Sequence, residues 1–260
     1  MDKKQDLRVL FVFGPHGDVE DAERSISILD KYRPDIYSPE IPVEFADRRY
    51  AEKNILEYIE NSHTPNPGMK ACARRFAEWA QDHVPIKILE DRLTEEERDS
   101  ILINAGKYYP FFYFSEEELS HPQLKDSVLS MILQAGAWLP GLEKVSSYDA
   151  YLRERKIINN ILSGQFVEEL ASDGIDLRGY DEIRIAMTIG SYHEPMYRDF
   201  INDVKKPHCF KKIIPHRAIL DEKQLYTDPA LQNLLGIESS SSYDWSEDAQ
   251  KCRVERFKLG

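Results

Sequence analysis

LRVLFVFGPHGDVEDAERSISILDKYRPDIYSPE, residues 7–40, is the stretch whose reading decides the fold class. Leu7 to Phe13 is an apolar, β-rich run without alternation, the pattern of a strand covered on both faces in a parallel sheet. The turn Gly14-Pro15-His16-Gly17 follows, and Asp18 stands where a helix N-cap belongs. Val19, Ala22, Ile26 and Leu29 then recur at helical spacing in an otherwise charged segment. Pro34 closes that helix, and Asp35 to Ser38 is a short second strand that ends at Pro39-Glu40. Strand, helix and strand in so short a stretch make a βαβ unit.

The same grammar returns late in the chain. Glu182 to Ile189 is an apolar run followed by Gly190-Ser191-Tyr192-His193-Glu194, and Pro195 suits the first turn of a helix carrying Met196, Phe200, Ile201 and Val204. Lys212 to Leu220 reads as a further strand, and Glu238 to Asp248 as a Ser-rich acidic loop. Between the two ends the pattern is mostly helical: Phe45 to Glu60, Met69 to His83, Thr94 to Ala105, Gln123 to Ala137 and Tyr148 to Ala171, with a strand predicted at Pro85 to Leu89. Lys107 to Leu119 is dense in aromatics, which fits either a wedge between helices or the wall or lid of a pocket. The fold expected is α/β: a mainly parallel central sheet flanked by helices. It forms a single domain over 1–260, with a mostly helical insertion at about 45–172.

Composition narrows the function classes. The chain has 260 residues, 42% of them hydrophobic, enough to build a core. Its formal net charge is −12, which argues against a phosphate backbone or an anionic membrane surface as partner. No stretch approaches the roughly 18 apolar residues of a membrane span. The apolar run at the N-terminus leads directly into Gly14-Pro15, so it reads as a first strand rather than a signal peptide. Cys72, Cys209 and Cys252 are odd in number, far apart and without CxxC spacing, so a cytoplasmic location is expected rather than a disulfide or zinc-finger scaffold.

Chemistry in a parallel sheet gathers just beyond the carboxyl ends of the strands. His16 follows the first strand, Glu40 the second and His193 the late one, with Asp18 and Glu194 beside the two histidines as secondary candidates. Each alone is an ordinary polar loop residue; the repeated strand–Gly–His–helix pattern joins them into a candidate site. Two histidines with a carboxylate suit a divalent metal (zinc, manganese or cobalt) with ligands His16, Glu40 and His193. Without a metal, His16 oriented by a carboxylate suits a general base acting on water. On the Tyr148 to Ala171 helix, Tyr151, Leu152, Ile158, Leu162 and Phe166 fall on one face, with Arg155 in the middle of the stripe. A guanidinium there needs an anion (Glu40, Glu194 or a substrate carboxylate) or else snorkels from the edge of the stripe.

LFVFGPHGD (10–18), RPDIYSPE (33–40), LRERKIINNI (152–161) and IAMTIGSYHEPMYRDF (185–200) together resemble the superfamily of TraB and Tiki proteins, erythromycin esterases and ChaN-like haem-binding proteins. Gly190-Ser191-Tyr192-His193 matches the second Gly-x-x-His of the TraB and Tiki branch. Gly14-Pro15-His16 is one residue shorter than the first, and the His16-Gly17 pair is closer to the erythromycin-esterase and ChaN-like pattern. The resemblance implies a hydrolase of small-molecule or peptide substrates. His16, Glu40, Arg155 and His193 would line one cleft, with Arg155 stabilising an oxyanion or fixing Glu40. It equally admits a non-catalytic protein that binds a ligand such as haem, or a regulatory one, in the same cleft.

Overall fold

The computed structural model describes residues 4–14, 17, 19–40, 48–61, 67–91, 93–109, 115, 128–129, 131–132, 142–221 and 224–237. It is an α/β protein with a five-stranded, mostly parallel sheet flanked by helices. By compactness the described chain falls into two units. One comprises the described residues up to 40, 48–89 and 158–237 and contains the whole sheet; the other comprises those within 90–157 and is helical. The helical unit is therefore narrower than the expected insertion at 45–172, because the helices up to residue 83 and those after 164 belong with the sheet.

β1 (Asp6–Gly14) is the central strand. Leu7 and Val9 through Phe13 are all at most 1% exposed, so the strand lacks alternation because both faces are covered. Successive side chains feed opposite layers. Leu10 and Val12 pack with Ala22, Ile26 and Leu29 of α1 (Val19–Tyr32) and with Cys72, Phe76 and Trp79 of α4 (Pro67–His83). Phe11 meets Phe200 edge-on at 5.2 Å on the other face. Of the four α1 positions read as its apolar stripe, Val19 is the exception, exposed at the start of the helix.

The sheet order is β2-β3-β1-β4-β5. β2 (Ile36–Pro39) therefore does not pair with β1 as a bare βαβ unit would suggest; β3 (Glu182–Gly190) lies between them and is parallel to both. β4 (Lys212–Asp221) pairs parallel on the far side of β1. β1 and β3 run in full register with Gly14 opposite Gly190, so the two Gly-terminated strands end level. The predicted strand at Pro85 to Leu89 is reduced to one parallel bridge, Tyr37 to Ile86. Side chains capture the next two amides: Ile88 N–H donates to Glu52 and Leu89 N–H to Ser38 Oγ.

Two further expectations need correction. The Phe45 to Glu60 helix is described from residue 48, as α2 (Arg48–Lys53) and α3 (Ile55–Asn61). At the junction the Asn54 N–H and its Nδ2 both donate to the Tyr50 carbonyl, at 2.9 and 3.1 Å. The Tyr148 to Ala171 helix is likewise two, α6 (Leu142–Ser163) and α7 (Gln165–Ser172), because Gly164 at φ 68° turns left-handed. Phe166 thereby leaves the α6 stripe and stacks on Phe210 at 6.1 Å. β5 (Gln224–Thr227), antiparallel to β4, and α9 (Pro229–Leu235), capped by Asp228, were not foreseen.

The remaining expected helices hold where described. α5 (Glu95–Tyr108) starts with a full capping box between Thr94 and Glu97, and α8 (Pro195–Asp203) opens on Pro195. Most of Gln123 to Ala137, the aromatic segment beyond Tyr109 apart from Ser115, all of Glu238 to Asp248, and Cys252 lie outside the described residues. Among the described residues no helix is long and apolar enough to cross a membrane.

Gly164 gives a first test of the packing. A Cβ there would sit 2.6 Å from Cys209 Sγ and 3.2 Å from the Phe210 ring, in a backbone conformation that L side chains rarely adopt. Gly164→Ala is expected to cost about 1–3 kcal/mol, read as a lowered urea midpoint with unchanged slope. A wild-type midpoint would refute this account of the break.

Candidate functional site

Parallel pairing brings Glu40 and His193 together although they are far apart in sequence. β2 ends at Pro39, opposite Thr188, and the Glu40 N–H continues the ladder by donating to the Thr188 carbonyl at 3.0 Å. Two residues beyond Thr188, β3 stops at Gly190 and the chain tightens into a single 3₁₀ turn, Ser191–His193. His193 Nε2 then lies 3.2 Å from Glu40 Oε1, within ion-pair reach of the carboxylate. The Gly190 N–H donates to the other oxygen, Oε2, at 2.5 Å. Both oxygens of Glu40 are therefore held by the β3 end, one by backbone and one by imidazole. Space at Gly190 is tight: a Cβ there would lie 3.3 Å from Glu40 Oε2, so the carboxylate would have to give by a few tenths of an ångström.

The surroundings are dry on one side and open on the other. His193 is 5% exposed, whereas the neighbouring Tyr192 is 51% exposed and meets the imidazole edge-on at 5.9 Å. Beneath the pair, Tyr37 and Thr188 share a 2.5 Å hydroxyl–hydroxyl bond, and burial pushes the Tyr37 phenol well above its ordinary range.

Glu194 turns away from the pair. Arg217 Nη1 of β4 reaches it at 3.0 Å, and the guanidinium lies 5.0 Å over the Tyr197 ring. Arg217 is itself fixed from the other side, its N–H donating to Asp228 Oδ2 at 2.5 Å. Burial alone would raise the Asp228 carboxyl. His216, at 4.0 Å, and the amides of Arg217 and Leu231 instead hold it below the usual carboxylate range.

The other expected members fall out differently. His16 and Asp18 lie outside the described residues. Arg155 belongs to the helical unit and is half-buried, not set in a buried stripe. Tyr151 is exposed, and the buried α6 positions around it are Glu154, Ile157 and Ile158. In that unit Arg153, rather than Arg155, pairs with the buried Glu90. Among the described residues no group of three His, Cys, Asp or Glu side chains is gathered that could hold a metal ion; the expected third ligand, His16, is not one of those residues. The residues missed in the sequence are Arg217 and Asp228. The available signals were a cation inside an apolar strand (His216-Arg217-Ala218-Ile219-Leu220) and an Asp-Pro pair at 228–229 opening a helix.

Comparison of the chain with protein-family models gives no match. Comparisons with curated proteins and with solved structures give none at the significance required.

Proposed function

We propose that the chain is a hydrolase of the kind its motifs resemble, the TraB, erythromycin-esterase and ChaN-like superfamily, acting on a small-molecule or peptide substrate in the cytoplasm. The observation that carries this reading is the Glu40–His193 pair at the carboxyl edge of the sheet, with Glu40 fixed by the Gly190 amide. A carboxylate accepting from Nε2–H selects one tautomer and leaves the basic lone pair on Nδ1. In the proposed step His193 takes a proton from water as its oxygen bonds to the substrate carbonyl carbon, and Glu40 stabilises the imidazolium formed. The imidazolium then returns the proton to the leaving group as the carbon–heteroatom bond breaks. His16 belongs to this reading as a second base or, with Glu40 and His193, as a ligand of zinc, manganese or cobalt. Such a metal would supply a more acidic water and Lewis-acid polarisation of the carbonyl.

A second reading is favoured by the low exposure of His193: a binding protein that holds a ligand such as haem in the same cleft without turning it over. One experiment addresses both. The protein, dialysed against chelator, is assayed on p-nitrophenyl esters, anilides and lactones with and without added Zn²⁺, Mn²⁺ or Co²⁺, beside Glu40→Gln. Hydrolysis that falls about 10- to 100-fold in folded Glu40→Gln supports the hydrolase. No hydrolysis, together with a Soret band on haem titration and ligand-dependent thermal stabilisation, replaces it with the binding protein.

A further inference from the structure

Glu194, one of the anions the sequence offers to Arg155, pairs with Arg217, on a strand that does not touch β3. β1 lies between β3 and β4 in the sheet, so the contact ties the turn after β3 to a strand that β3 does not pair with. The bridge passes on the α8 face, where Arg217 shares register with Phe11 and lies over Tyr197. Both side chains are largely withdrawn from water, 14% exposed for Arg217 and 11% for Glu194. A pair so desolvated is worth little as net stability compared with well-packed apolar residues, but it is very sensitive to geometry. Its geometry bears on His193 because Glu194 is the next residue and closes the 3₁₀ turn, its N–H donating to the Ser191 carbonyl at 3.1 Å.

We propose that Arg217 is a positioning residue for His193. By clamping Glu194 across β1 it fixes the turn that presents Nε2 to Glu40. The Asp228 carboxylate, bound to the Arg217 amide, anchors the clamp on the far side. A run of fixed polar contacts thus crosses the sheet from the start of α9, through β4 and the β3 end, to Glu40. The guanidinium is the suitable group here because it can hold the Glu194 carboxylate while its plane lies over a ring; an ammonium gives one point contact. The catalytic part of the inference rests on the hydrolase reading, whereas the positional part stands by itself.

The test reads both parts separately in Arg217→Met, Arg217→Lys and Glu194→Gln. The first readout is the downfield proton resonance of the His193 N–H bonded to Glu40, assigned by its absence in His193→Ala. Arg217→Met is expected to broaden or lose it, with Glu194→Gln in the same direction and Arg217→Lys intermediate. The second readout is ester turnover, expected to lose about 10- to 100-fold in kcat for Arg217→Met with KM within twofold. Should Arg217→Met fail to fold, Arg217→Lys and Glu194→Gln carry the test. A wild-type resonance in the folded variants overturns the positioning role. A wild type whose turnover is absent, or unaffected by His193→Ala, removes the hydrolase reading while the resonance still decides the role of Arg217.

Discussion

Replacing His193 with alanine is expected to reduce turnover of a reactive ester by about 10²- to 10⁴-fold, the range that a positioned general base contributes. The loss should be mainly in kcat, since the imidazole acts on water and not as a binding surface. The fold is expected to survive. His193 lies in a single 3₁₀ turn after β3, and without the imidazole Glu40 keeps the Gly190 amide as a partner. Far-UV circular dichroism and the urea midpoint check the fold; steady-state kinetics checks the base. Wild-type kcat in a folded His193→Ala protein would remove His193 from the chemistry, whatever the bond cleaved.

Lys87→Met is expected to have the largest effect on stability, a loss of about 3–5 kcal/mol near neutral pH, because it breaks a buried ion pair and leaves its anions behind. The Lys87 side chain is 3% exposed, and its Nζ lies 3.2 Å from Glu52 and 2.6 Å from Glu169. Arg48 also reaches Glu169, at 2.7 Å, so the substitution leaves two carboxylates with one cation. Burial by itself would raise the Glu169 carboxyl. The hydrogen bonds and charges of Lys87 and Arg48 instead bring it below its ordinary value of 4.5. A carboxylate depressed in the folded state contributes stability that is fully present above its unfolded pKa and is lost as pH falls through the folded value. The deficit of Lys87→Met is therefore expected to be greatest at neutral pH. It should shrink in acid, as pH falls through the depressed Glu169 value and that carboxylate protonates. Urea titrations at both pH values measure this. A pH-independent deficit would mean that Lys87 matters for packing and not for charge.

Local pattern reveals the strands at the two ends of the chain and hides much of what surrounds them. Leu7 to Phe13 and Glu182 to Ile189 are legible because strands buried on both faces must be apolar at nearly every position. α1, α5 and α8 are legible because apolar spacing, a capping box and an N1 proline are short-range signals. β5 is not, because Gln224 to Thr227 carries polar residues and is a strand only by pairing with the end of β4. The break at Gly164 is a similar case: a glycine within a helical pattern is tolerable, and that Cys209 and Phe210 leave no room there for a Cβ is visible only in the packing.

For the site, the sequence by itself determined that Gly190-Ser191-Tyr192-His193 and Pro39-Glu40 follow strands of a mostly parallel sheet, and so that both lie at one edge where they can converge. Strand polarity and chain order are enough for that. Only the tertiary structure decided that Glu40 divides its oxygens between the Gly190 amide and His193, and that Glu194 belongs to Arg217 across β1. The sheet order, with β3 inserted between β1 and β2, brought those groups within hydrogen-bond reach. That order is a property of which strands pair, a choice made by long-range contacts that no local periodicity encodes.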